Sequence, residues 1–135
     1  MSEIPRSYLD LFEKKTFAHV ATLMPNGMPH VTPVWIDYDA DTERVLVNTA
    51  KGRQKHVNVQ KDPRIGVSIT DDEDPYRALS LYGEVDAMTD ENAAEHIDSL
   101  EQRYRGHEEY LGDRTNRIIL KIKPHEVLTK ESHRK

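Results

Sequence analysis

Lys51, Arg53 and Lys55 stand at alternate positions around Gly52, directly after the run Asn48-Thr49-Ala50. Three cations beside a glycine, where an extended segment gives way to a helix start, suit an anion. Backbone amides at a helix N-terminus lack intrahelical partners and the helix dipole favours negative charge there. An arginine adds a planar fork and a lysine a point charge, and glycine lets a ligand approach the backbone. The same composition also describes a solvated basic face, the usual fate of a charge run. Trp35, beside Pro33, is the other residue of note: it is either a core tryptophan or a wall against a flat ring.

The remaining motifs narrow the chemistry by elimination. Seven histidines form no metal motif, since His107-Glu108 and His125-Glu126 are followed at ligand spacing by Leu111 and Thr129. No glycine pair has the G-x-G spacing, no glycine precedes Lys-Ser or Lys-Thr, and G-x-S-x-G is absent. Absence of cysteine removes disulfides, thiolate nucleophiles, cysteine-ligated zinc and iron–sulfur clusters. A net charge of -5 disfavours nucleic acid as a partner, because phosphate-backbone affinity requires many cations acting together. Apolar runs are strand-sized, and Glu3, Pro5, Arg6 and Asp10 occupy the N-terminal stretch where a signal or membrane segment would be apolar. The chain therefore reads as cytoplasmic, without membrane association.

The elements that must position these residues fit one domain over residues 1–135, a length that buries roughly two-thirds of the unfolded surface. With 36% hydrophobic and 32% charged residues, a barrel face completed by a second copy is expected. Pro5 to Lys14 predicts an opening helix. Phe17 to Leu23 and a strand running on to Tyr38 form a hairpin about Pro25-Asn26-Gly27. Pro33 makes the second strand an edge or irregular. Asp39-Ala40-Asp41 turns into the strand Glu43 to Thr49. A basic helix follows from Lys51 to Lys61 and stops at Asp62-Pro63. Ile65, Val67 and Ile69 form the inner row of a fourth strand. Tyr76 to Met88 forms a fifth, with Leu79, Leu81, Val85 and Ala87 inward and Gly83 at a bulge or close approach. Asp90 is the expected N-cap of a helix bearing Ala93, Ile97, Leu100 and Tyr104 on its core face and ending at Gly106. A last strand, centred on Ile118, Leu120 and Ile122, ends or bends at Pro124, and Glu131 to Lys135 forms a frayed tail. Six strands in hairpin succession predict a mainly β fold with helices, an antiparallel split barrel.

Four segments taken in order carry a family resemblance: His30-Val31-Thr32-Pro33-Val34-Trp35, Val47 to Lys55, Asp62-Pro63-Arg64-Ile65, and Tyr82-Gly83-Glu84-Val85. Together they resemble the pyridoxamine 5'-phosphate oxidase-like split-barrel superfamily, in particular its small flavin/deazaflavin oxidoreductases, many of which use coenzyme F420. The resemblance spans most of residues 8–130. It implies a homodimer of split barrels with a cofactor in each interface groove. The ring would lie along Val31, Thr32, Pro33, Val34 and Trp35, with Asn48, Thr49 and Ala50 beside the ring or its side chain. The phosphate would rest on Gly52, Arg53 and Lys55, and the extra Lys51 suits a longer anionic tail. The implied activity is F420-dependent oxidoreduction, hydride passing between the deazaflavin ring and a small unsaturated or conjugated substrate. The alternatives are an FMN-binding protein of the oxidase type and a non-catalytic flavin or deazaflavin carrier. The vitamin B6 oxidase branch fits less well, because its flavin-contacting glutamine is missing near Tyr76-Arg77-Ala78 and its arginine-bearing substrate motif is missing from the tail. His30, Tyr38 and Tyr76 are candidate proton donors, and none is assigned as catalytic.

Overall fold

Seven antiparallel strands form one sheet in the computed structural model, which describes residues 2–131. They are β1 (Ala18–Leu23), β2 (Pro29–Val34), β3 (Asp37–Asp39), β4 (Arg44–Ala50), β5 (Arg64–Thr70), β6 (Ala78–Thr89) and β7 (Arg117–Lys130), with helices α1 (Gln54–Lys61) and α2 (Ala93–Arg105). Their order across the sheet is β2-β1-β5-β6-β7-β4-β3. The first and last strands in that order are consecutive in the chain, joined only by Trp35 and Ile36. The three steps from Val34 to Asp37 span no more than about 11 Å when extended, so the sheet must curl until its two edges come close. The result is a barrel that stays unzipped between β2 and β3, the split barrel expected from the sequence.

Seven strands appear where six were expected because the segment running to Tyr38 breaks at Trp35-Ile36 and changes edges. Two α2 side chains satisfy the backbone at this break. Tyr104 Oη donates to the Thr16 carbonyl oxygen at 2.7 Å and accepts the Ile36 N–H at 3.1 Å, and Arg103 donates to the Ile36 carbonyl oxygen at 2.7 Å. Left bare, these buried groups would each cost about 1–3 kcal/mol. The core inside the curl is built from alternate strand residues, among them Val20, Val45, Val47, Ile69, Leu79, Leu120 and Ile122, and is plugged by Leu11 and Phe12.

Other departures have local causes. The opening helix is a 3-10 segment, Arg6–Phe12. The basic helix starts at Gln54 instead of Lys51, since Gly52 takes φ +89° and Arg53 is extended. Asp90 does not cap α2; Asn92 occupies the N-cap in a left-handed conformation, and the Asp90 carboxylate is engaged by Lys51. The strand expected from Tyr76 begins at Ala78, after a turn in which the Arg77 N–H bonds to the Asp74 carbonyl oxygen. A register shift between Val85 and Ala87 turns Ala87 outward, so it is exposed instead of lining the core. Pro124 does not end β7. It pairs with Gly83, and the shift there leaves His125 as the extra residue of a bulge, where a missing N–H is tolerated. Of the expected tail, residues 132–135 lie outside the described ones.

Candidate functional site

A cleft of about 340 Å³ opens beside the split, walled by Phe17, Pro33, Val34, Trp35 and Ile97 on its apolar side and by cations on the other. The hairpin about Gly27 (φ +83°) sets β2 against β1 and brings Pro33 and Val34 to the rim. Asn48 and Thr49, near the end of β4, line the floor, and the first turn of α1 adds Arg53 and Lys55. Arg117, at the start of β7, pairs with Ala50 across the sheet and so arrives beside Asn48.

Lys55 is 8% exposed and Arg117 is 6% exposed. Among the described residues no carboxylate pairs with Arg53, Lys55 or Arg117. Burial, and then the charges of Arg53 and Arg117, hold the Lys55 ammonium below its ordinary lysine value. Burial likewise lowers the Arg117 guanidinium. Arg117 is fixed from two sides: its Nε–H donates to Asn48 Oδ1 at 2.9 Å, and its guanidinium lies 4.9 Å from the Tyr110 ring centroid. Thr49 Oγ1 is buried with no hydrogen-bond partner. Cations without a paired carboxylate and a spare hydroxyl in one concavity fit an anionic group, because a buried charge is costly unless paired.

Trp35 is half-buried and is held by its neighbours. Its ring stacks on Tyr104 at 5.0 Å and 11°, meets Tyr110 edge-on at 6.1 Å, and carries the Arg105 guanidinium 5.1 Å from its centroid. Glu101, fully buried, anchors this side by accepting from Arg105 and the Leu111 N–H and bonding His107. Asp98 accepts the Tyr110 N–H at 2.8 Å and pairs with Arg114. Two α2 carboxylates thereby strap the segment 106–115 over Trp35.

Of the residues singled out in the sequence, Pro33, Val34, Trp35, Asn48, Thr49, Arg53 and Lys55 line this cleft. The others lie elsewhere. Val31 is 58% exposed and faces a shallow apolar depression with His19, Gly66, Tyr82 and Leu128. Thr32 turns toward the barrel interior, its hydroxyl buried without a partner. Ala50 is half-buried at the end of β4. Lys51 pairs with Asp90 at 2.7 Å on the surface. The Gly52 N–H donates to His56 Nδ1 at 3.0 Å, so this amide is already used within the turn. His30 does not line this cleft, and its Nδ1 is buried without a partner. Sequence reasoning missed Phe17, Ile97, Arg105, Tyr110 and Arg117. A signal existed for Arg117 alone, a charge opening a strand whose next three residues, Ile118-Ile119-Leu120, are apolar on both faces.

Fold and cleft together define a split-barrel protein with a cationic cavity beside its split. The chain belongs to the pyridoxamine 5'-phosphate oxidase family, a class of oxidoreductases, whose sequence profile matches residues 4–131. It is 30% identical over 122 residues to the F420H(2)-dependent biliverdin reductase of Mycobacterium tuberculosis (strain CDC 1551 / Oshkosh), covering 89% of this chain and 83% of that protein. A solved F420 reductase superposes with a TM-score of 0.82 at 28% identity, over 93% of this chain and 98% of its own. A conserved hypothetical protein from Mycobacterium tuberculosis shares the fold at a TM-score of 0.75 and 22% identity, over 95% and 85% of the two chains. Among the described residues no helix is long and apolar enough to cross a membrane.

Proposed function

We propose that this protein is an F420-dependent reductase that binds the phosphate-bearing tail of the deazaflavin on Arg53, Lys55 and Arg117 and seats the ring along Pro33, Val34 and Trp35. The observation that carries this reading is the convergence of those three cations on one cleft with no carboxylate partner among the described residues. The similarity to two F420-linked reductases supports the choice of cofactor over FMN. Lys51, paired with Asp90, would reach an extended anionic tail only by exchanging that partner.

When bound, reduced F420 would supply the hydride chemistry, with a conjugated molecule as acceptor. The chain's own residues bind and orient. Lys55 and Arg117 neutralise the tail, and Thr49 Oγ1 offers the hydrogen bond it lacks within the protein. Asn48 spends its side-chain polar atoms on Arg117, Ala93 and His96, so it shapes the floor of the site without offering the ligand a hydrogen bond. Phe17, Val34 and Ile97 exclude water from the apolar side. The mycobacterial relative makes a linear tetrapyrrole such as biliverdin the first acceptor to try.

The protein acts as a homodimer in this reading. Val31, Tyr82 and Leu128 are each more than half exposed and surround one depression on the outer face of β2, β1, β5, β6 and β7, an area a second copy would cover.

Calorimetric titration with F420 and with FMN, followed by oxidation of bound F420H2 in the presence of biliverdin, tests the proposal. F420 should bind at least tenfold more tightly than FMN, and Arg53→Ala, Lys55→Ala and Arg117→Ala should each weaken it by about 1.5–3 kcal/mol. Binding of neither cofactor below about millimolar would overturn it. Bound F420H2 that stays reduced with every acceptor tried would instead identify a carrier.

A further inference from the structure

We infer that His96 is a positioning residue for Arg117, acting through the carboxamide of Asn48. Every polar atom of Asn48 is committed. Its Oδ1 accepts from Arg117 Nε at 2.9 Å, and its Nδ2 reaches both the Ala93 carbonyl oxygen at 2.9 Å and His96 Nδ1 at 3.0 Å. Arginine Nε–H can only donate and a carbonyl oxygen can only accept, so the amide orientation is determined without reference to the imidazole. It follows that His96 Nδ1 is an acceptor. The ring proton therefore sits on Nε2, where it is donated to Asp37 Oδ2 at 2.9 Å. Asp37 is itself held by Arg103 at 2.8 Å, beside the Trp35-Ile36 connection.

The chain Asp37–His96–Asn48–Arg117 thus links the split to the anion cleft through four side chains on β3, α2, β4 and β7. Each link fixes the orientation of the next. Asp37 sets the tautomer, the tautomer makes Nδ1 an acceptor, and that acceptor keeps the second Nδ2 hydrogen of Asn48 from being stranded in a buried site. With the carboxamide held, Oδ1 stays on Arg117 Nε and leaves the far edge of the guanidinium for a ligand. His96 is absent from the cleft lining, so its effect on an anion must travel through Arg117.

Two substitutions separate this role from simple stapling of α2 to the sheet. In His96→Asn the amide oxygen takes the place of Nδ1 and keeps the bond to Asn48; in His96→Gln the amide reaches the Nε2 position, keeps Asp37 and forfeits Asn48. Hydrogen exchange of the Arg117 guanidinium Nε–H, assigned by its loss in Arg117→Ala, reads the orientation with no ligand present. It should be slow in the wild type and His96→Asn and fast in His96→Gln. Exchange equally slow in all three would overturn the inference.

A second readout rests on the cofactor reading above. His96→Gln should weaken F420 binding roughly five- to tenfold, the effect of one net hydrogen bond, while His96→Asn stays within about twofold. In an Arg117→Ala background His96→Gln should add nothing. A penalty that persists in that background would also sink the inference, whereas wild-type protein that binds no F420 would defeat the cofactor reading and leave the exchange experiment to decide.

Discussion

Lys55 and Arg117 lie buried in one cleft, and the guanidinium charge is among the forces that hold the Lys55 ammonium below its ordinary value of 10.5. Burial contributes most to that shift, and an anion between the two would reverse it. Between the lowered value and 10.5 the folded protein binds fewer protons at Lys55 than the unfolded chain, so in that window Lys55 makes stability rise with pH. Ligand behaves oppositely. A phosphate-bearing probe should take up protons on binding and lose affinity as the pH climbs through the lowered value. Calorimetry in buffers of different ionisation enthalpy measures the uptake, and zero uptake throughout would contradict the prediction. Lys55→Met should abolish the pH dependence and stabilise the free protein by about 1 kcal/mol, since an unpaired buried charge is removed.

Gly83 faces a closed door. A Cβ at this position would lie 2.0 Å from the Lys123 carbonyl oxygen and 3.1 Å from the His125 nitrogen. Both neighbours are backbone within the bulge of β7 and cannot yield as a flexible side chain would. Gly83→Ala should cost about 3 kcal/mol or more, measured by urea denaturation. A loss under 1 kcal/mol would mean that the bulge relaxes.

Tyr104→Phe removes both hydrogen bonds by which the phenol satisfies Thr16 and Ile36 while keeping the ring on Trp35. The Ile36 N–H is then stranded in a buried place, and a loss of about 2–3 kcal/mol is expected in thermal unfolding. A thermal midpoint equal to the wild type's would show that the connection is secured elsewhere.

Leu128→Glu, on the outer face of β7, should convert a dimer to a monomer at micromolar concentration while leaving the core intact, because Leu128 is 55% exposed. Sedimentation velocity distinguishes the two species. Wild-type protein that sediments as a monomer would refute the assembly outright.

Local chemistry accounts for what could be read from the sequence. Asn26-Gly27 announced its hairpin because glycine there takes φ +83°, and Gly106 announced the end of α2 because it accepts φ +80° while its N–H bonds Glu101 and Gln102. Arg53 and Lys55 were visible as a cluster because they sit on one short stretch. Arg117 and Tyr110 were not, since they are more than fifty residues away: Arg117 reaches Asn48 through the β4–β7 pairing, and Tyr110 is brought in by its N–H bond to Asp98 of α2. Asp90 misled for a related reason: its type suits a helix cap, yet a lysine 39 residues earlier claims the carboxylate. The break at Trp35-Ile36 carries no turn residue at all. It is imposed by the curl of the sheet and by α2, neither of which a local pattern records.

The two-residue connection between β2 and β3 bears also on how the chain behaves in company. A sheet edge is a template on which another extended chain can zip up. One edge here is β3, three residues long. The other is β2, where Pro29 and Pro33 share a parity and strip two donors from the same side of the strand. By leaving the barrel open at its shortest strand and its most proline-rich one, the fold offers a stray β-segment little to grip. The slit that admits a ligand is thus also poorly suited to seeding a fibril.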